Sequence, residues 1–182
     1  MTTPRDAEFA QYVMARLPAF RRLAVTLCQD WHRADDLVQA AITKLYVNWP
    51  KASAATSTDA YARAIIVREF LTERRSGWAR RVTLGGQLPE TTEPGHDSDA
   101  AMDMQTAMAG LPPRQRATLV LRFYCDLNVE QSAQVLGCSA GTVKSQTAKA
   151  LATLRRILGP DGLPASGSGL VTPSDHCYRE AP

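Results

Sequence analysis

The 182-residue sequence predicts an all-α protein: two small helical domains, an antiparallel helical bundle and a helix-turn-helix domain, joined by an acidic flexible linker. Three observations predict it. Apolar residues recur at helical spacing over 6–81 and again over 104–158, and no run alternates with period two long enough for a sheet. Residues 82–103 hold five acidic residues and no basic one, together with Gly85-Gly86, Pro89 and Pro94-Gly95, the composition of a segment without its own core. Finally, Gly137-Cys138-Ser139 separates a short amphipathic run from a longer one.

The first helical segments place Phe9, Tyr12, Val13 and Leu17 before Pro18, and Phe20, Leu23, Ala24 and Leu27 after it. From Ala34 the apolar positions run Leu37, Val38, Ala41, Ile42, Leu45, Tyr46 and Trp49, one broad stripe on a helix expected to end at Pro50. A further helix is expected from Thr58 or Asp59, either of which suits an N-cap, through Tyr61, Ile65, Ile66 and Leu71 to about Trp78. These segments read as an antiparallel helical domain over 6–81.

In the second half, Pro112-Pro113 suits a helix start, Arg114 to Tyr124 reads as one helix and Val129 to Leu136 as a short second one. A longer helix follows from Ala140 to about Leu158, with Val143, Thr147, Leu151, Leu154 and Leu158 on one face. A short helix, a glycine where the chain needs positive φ, and a capped helix with a free opposite face make a helix-turn-helix. The tail 159–182 is rich in Gly, Pro and Ser and has no helical period.

The formal net charge of +3 says little, but its distribution is uneven. Residues 51–81 hold seven basic and three acidic residues (+4), 82–103 carry −5, and 104–158 hold seven and two (+5). Two basic blocks flanking an acidic bridge fit a chain that grips a polyanion. No stretch approaches the roughly 18 consecutive apolar residues of a membrane span, and the N-terminus leads into charged sequence rather than a signal-peptide core, so a cytoplasmic location is expected. Cys28, Cys125, Cys138 and Cys177 lie far apart without a C-x-x-C pair, which fits isolated thiols better than a disulfide framework or a zinc site.

The free face of the last helix bears Thr142, Lys144, Ser145, Gln146 and Lys149 behind the Ser139 cap, and 137–158 contain four basic residues and no acidic one. A polar helix face is usually only a solvated one. Here the turn, the cap and the one-sided charge coincide, and side chains at such a helix start enter a DNA major groove, where Lys and Gln address base edges and Ser and Thr reach bases or phosphates. Upstream, Tyr61-Ala62-Arg63 through Arg74-Arg75, Trp78 and Arg80-Arg81 interleave arginines with Tyr61, Phe70 and Trp78, the means of holding a phosphate backbone and stacking on unpaired bases. The alternative is a basic helix end that complements its dipole while Trp78 packs into a core. Asp35 and Asp36 fit a helix first turn, where acids are commonplace. His32 beside Trp31 reads as a surface or capping residue, and no carboxylate pair, Ser/His/Asp set, phosphate-cradling loop or metal cluster appears, so neither an enzyme nor a cofactor is expected.

With Asp30-Trp31-His32-Arg33-Ala34-Asp35-Asp36-Leu37-Val38-Gln39, Ala60-Tyr61-Ala62-Arg63 to Arg74-Arg75, and Leu111-Pro112-Pro113-Arg114-Gln115-Arg116 continuing to Leu154-Arg155, the chain resembles bacterial RNA polymerase sigma factors of the extracytoplasmic-function type, particularly the compact actinobacterial ones. The resemblance covers roughly 6–158. It implies a two-domain transcription initiation subunit whose helix matching Asp35 to Trp49 docks on the β′ clamp helices of core polymerase, which assigns Asp35, Asp36, Leu37 and Gln39 to that contact. The loop and helix matching Lys51 to Arg81 would open the promoter and capture the minus-ten element, which assigns Lys51, Tyr61, Arg63, Arg68, Arg74, Arg75, Trp78, Arg80 and Arg81. The second domain would set Ser139, Thr142, Lys144, Ser145, Gln146 and Lys149 in the minus-thirty-five groove while packing on the β flap. The acidic linker would thread the polymerase interior, and an anti-sigma protein is a reasonable further partner. Ala40 stands where relatives usually carry Glu, and Arg68 and Thr72 replace a more common Asn and Asp, so a minus-ten preference does not transfer from relatives. The competing expectation is a free-standing helix-turn-helix regulator using 104–158, with 6–81 as a sensing or dimerising module.

Overall fold

A computed structural model of the chain describes residues 3–84 and 99–159, with side chains described for 3–73 and 104–159. The backbone divides into two units, Met1–Phe70 and Leu71–Pro182. All regular structure among the described residues is helical.

In the first unit, α1 spans Pro4–Cys28, opened by a capping box in which Thr3 and Asp6 bond each other's backbone and side chain. Pro18 lies inside α1 rather than between two helices as expected. The carbonyl it leaves without a helical partner belongs to Met14, a residue 77% exposed, so this turn of α1 faces solvent. A left-handed Gln29 (φ 57) stops α1, and the Asp30 carboxylate accepts from the Arg33 N–H at 3.0 Å to start α2, Trp31–Val47.

The two-residue connection makes α1 and α2 antiparallel, and Leu23, Leu27, Leu37, Val38, Ala41 and Leu45 are buried. Each of these leucines, and Val38, contributes about 1.5–3 kcal/mol of burial. The expected apolar stripe of α2 is buried at Ala34, Leu37, Val38, Ala41, Leu45 and Trp49, whereas Tyr46 is 42% exposed. Pro50 does not end this helix. It occupies the first turn of a separate short helix, α3, Trp49–Ser53, where a missing N–H costs nothing.

Helix α4, Thr58–Leu84, is capped by neither Thr58 nor Asp59 but by Ser57, whose hydroxyl accepts from the Ala60 N–H at 3.1 Å. It adds Ile66, Val67 and Phe70 to the core.

In the second unit, α5 spans Asp99–Ala109, α6 Pro113–Leu119, α7 Val129–Leu136 and α8 Ala140–Leu158. The helix expected from Arg114 to Tyr124 changes pitch. Its last part, Val120–Tyr124, is a π-helical turn in which the Cys125 N–H bonds the carbonyl of Val120, five residues back, at 2.9 Å. Leu119, Val120 and Leu121 are all fully buried, a wider arc than one face of a regular helix covers. Arg116 is buried too, and its guanidinium donates to the carbonyls of Ala109 (2.7 Å) and Leu111 (3.2 Å), closing the end of α5. The expected linker 82–103 is helical at 82–84 and 99–103; its remainder and the tail 160–182 lie outside the described residues.

Candidate nucleic-acid interface

The helix-turn-helix is built by three local devices. Asn128 and Gln131 form a capping box that starts α7. Gly137 ends it at φ 63, and the Cys138 N–H bonds the Ala133 carbonyl at 3.0 Å. The Ser139 hydroxyl then accepts from the Thr142 N–H at 3.2 Å and lies 3.0 Å from the Thr142 hydroxyl, starting α8. On α8, Val143, Ala150 and Leu154 are buried against α6, α7 and α5, which fixes the rotation of the helix. That rotation leaves Lys144, Ser145 and Lys149 exposed. Thr142 and Gln146 are half-buried beside a small cleft that Arg114, Thr118, Leu136 and Cys138 also line. The six residues expected here run from the N-cap of α8 through its first three turns.

The minus-ten set is described in part. Lys51 and Arg68 are exposed, and Tyr61 and Arg63 half-buried. Phe70, read above as one of the interleaved aromatics, is 0% exposed, so it belongs to the core and stacks on no base. The backbone of α4 carries Arg74, Arg75, Trp78, Arg80 and Arg81, but their side chains lie outside the described residues.

On α2, the structure corrects two expectations. Because the helix starts at Trp31, Asp35 and Asp36 fall beyond its first turn, and Asp35 instead forms an ion pair with Arg21 of α1 at 3.1 Å. Leu37 is 3% exposed and packs in the core, so it presents no surface to a partner. Asp36 and Gln39 are exposed on that face. The sequence marks Tyr12 as an apolar position and Asp59 as a candidate N-cap but not the cluster they form with Arg16: the Tyr12 hydroxyl donates to one Asp59 oxygen at 2.8 Å, and Arg16 meets the other at 3.0 Å. No local pattern signals a contact between residues 47 positions apart. Burial and the Asp59 carboxylate push the Tyr12 phenol well above its ordinary pKa, so it stays a donor. Among the described residues no group of three or more His, Cys, Asp or Glu is placed to hold a metal, and Cys28 and Cys125 are buried.

Residues 12–80 match the Sigma-70 region 2 family and residues 107–156 match Sigma-70 region 4. The RNA polymerase sigma-E factor of Streptomyces coelicolor is 36% identical over 160 residues, covering 83% of this chain and 86% of that one. The chain belongs to the RNA polymerase sigma factors, of the extracytoplasmic-function type. A more distant relative of this sigma factor is EcfG of Rhodopseudomonas palustris, 27% identical and covering 82% of this chain and 84% of its own. A solved structure, the sigma factor RpoE in complex with the anti-sigma factor NepR from Bartonella quintana, matches with a TM-score of 0.69 at 26% identity, over 85% of this chain and 98% of that one. The sigma factor is thus a transcription initiation factor that directs RNA polymerase to promoters. Both regions in one chain set aside the free-standing regulator. No helix among the described residues is long and apolar enough to cross a membrane.

Proposed function

We propose that the two ends of this sigma factor divide promoter recognition between them. The domain over 104–158 reads the minus-thirty-five element as duplex, with Lys144 and Lys149 on phosphates, Gln146 on a base edge, and Ser139, Thr142 and Ser145 at the groove edge. The domain over 6–81 opens the minus-ten element, with Lys51, Tyr61, Arg63 and Arg68 and the arginines and Trp78 farther along α4 on the unpaired strand. The exposed face of α2 around Asp36 and Gln39 meets the β′ clamp helices, and the second domain packs on the β flap. The acidic segment 82–103 threads the polymerase interior, where an electronegative strand occupies a channel built for nucleic acid, and 159–182 is an appended tail. RpoE is in complex with an anti-sigma factor in the solved structure, and an anti-sigma factor that occludes these faces would be a natural regulator of this chain. The chain does this work in the cytoplasm and needs no catalytic group or cofactor of its own.

The observation that carries this reading is the start of α8: a capped helix turned by its buried face so that Lys144, Ser145 and Lys149 point outward with no acid near them in sequence. The test is selection of promoters by holoenzyme reconstituted from this chain and core polymerase. Two conserved boxes, with the upstream one lost on substituting α8 residues and the downstream one on substituting Lys51 or Arg63, are expected. Initiation independent of the chain, or tight sequence-specific binding by the chain alone, overturns it.

A further inference from the structure

One stripe of α1 touches every element around the α3–α4 connection. Asp6, Phe9, Tyr12 and Arg16 recur at spacings of three, three and four, so they share a face. The Asp6 carboxylate accepts from the Tyr46 hydroxyl at the end of α2, at 2.8 Å. Phe9 meets the buried Trp49 edge-on at a centroid distance of 5.3 Å, and Tyr12 packs on the same indole at 5.2 Å. Tyr12 and Arg16 then occupy the two oxygens of Asp59, in the first turn of α4. The connection 54–57 is therefore pinned on both sides, at Trp49 before it and at Asp59 after it, by a single rigid helix.

The Arg16–Asp59 end of the pin is poorly placed to matter for folding at large. Arg16 and Asp59 are 50% and 28% exposed, and ion pairs at such positions add little to global stability. It is well placed to set spacing, because Lys51 lies just before the connection, and Tyr61 and Arg63 lie two and four residues beyond Asp59. Capture of an unpaired strand depends on holding such groups in a fixed geometry before the strand arrives.

We infer that Tyr12 and Asp59 are positioning residues for the unpaired minus-ten strand, holding the 54–57 connection so that Lys51 on one side and Tyr61 and Arg63 on the other meet that strand in register. The inference rests on the minus-ten reading given above. Tyr12→Phe keeps the ring against Trp49 and removes only the hydroxyl; Asp59→Asn removes the charge but keeps the shape.

Holoenzymes carrying each variant are compared on two DNAs of the selected promoter: a fork junction with the minus-ten strand unpaired, and a duplex ending upstream of that element. Fork-junction affinity is expected to fall about three- to tenfold in each variant, the scale of one lost hydrogen bond, and no further in the double variant, because both act through one contact. Upstream-duplex affinity and core polymerase affinity are expected to stay near wild type, and the melting temperature to fall by only about 2–4 °C. Equal losses on both DNAs with a larger fall in melting temperature overturn the inference in favour of a merely structural contact. Lys51→Ala run alongside separates the two levels: a fork-junction loss with Lys51→Ala but not with Tyr12→Phe or Asp59→Asn overturns the positioning role alone, and no loss with any of them overturns the minus-ten reading as well.

Discussion

Lys144 and Gln146 lie two positions apart on α8, yet their surroundings ask different things of them. Lys144 stands exposed, whereas Gln146 is half-buried against the cleft shared with Arg114 and Leu136, which restricts its rotamers and favours a defined hydrogen-bonding direction. Lys144→Ala is expected to weaken holoenzyme binding about equally across promoter sequences and to reduce the slope of log affinity against log salt by about 0.9, measured by titration at several salt concentrations. Gln146→Ala is expected to relax preference at one base pair by about 1–3 kcal/mol while leaving the salt slope unchanged, measured on single-base promoter variants. Asp6 provides a pH prediction. Hydrogen bonds from the Thr3 hydroxyl and then the Tyr46 hydroxyl hold its carboxyl below the ordinary 3.8, so the stabilisation is present above that value and is lost as pH falls through the lower folded-state pKa. Asp6→Asn should lower the melting temperature at neutral pH and converge with wild type in strong acid. The exposure of Lys144, Ser145 and Lys149 is legible in the sequence, because polar residues opposite an apolar helix stripe face solvent; the half-burial of Thr142 and Gln146 is not. Nor is the place of Leu37: it follows Asp36 in the motif, but a step of one residue along a helix turns the side chain from solvent into the core.

Proline and glycine punctuate some elements of this chain and not others, and the difference is physical. Gly137 is a stop wherever it occurs at φ 63, because only glycine adopts that conformation cheaply; open space surrounds the Cβ position, so Gly137→Ala is expected to cost about 1 kcal/mol by backbone strain alone, seen as a lowered melting temperature. Whether proline stops a helix depends on what happens to the carbonyl four residues back. At Pro18 that carbonyl is on the solvent side of α1, and the helix continues. Pro18→Ala should restore the missing bond and stabilise the chain by about 1–3 kcal/mol in thermal or denaturant unfolding; an unchanged or lowered midpoint counts against this account. Pro50 likewise starts α3, since Asn48 has already closed α2 with its amide on the Lys44 carbonyl at 2.8 Å. The π-helical turn after α6 had no sequence signal, because only the packing of three consecutive apolar residues demands it.

Across the whole molecule, basic charge is concentrated in two separate blocks, +4 over 51–81 and +5 over 104–158. Lys51 lies in sequence matched to region 2 and Lys144 in sequence matched to region 4, so phosphate contacts in the two should be independent. Combining Lys51→Ala with Lys144→Ala is expected to flatten the salt dependence of open promoter binding additively, by about 1.6 in slope, one contact to a single strand and one to a duplex. A sub-additive result in filter-binding titrations would mean that the two lysines share one role.

The sequence by itself determined the helical class, the helix-turn-helix, the two basic blocks and the family, because periodicity, capping and charge are properties of neighbouring residues. Tertiary structure alone decided that Leu37 and Phe70 face inward, that α1 runs through Pro18, and that Asp6 reaches Tyr46 and Tyr12 reaches Asp59 across 40 and 47 residues. Those contacts depend on the path of the chain between their partners. A hydrogen bond needs atoms about 3 Å apart, and no local pattern records which distant residues the fold brings within that reach.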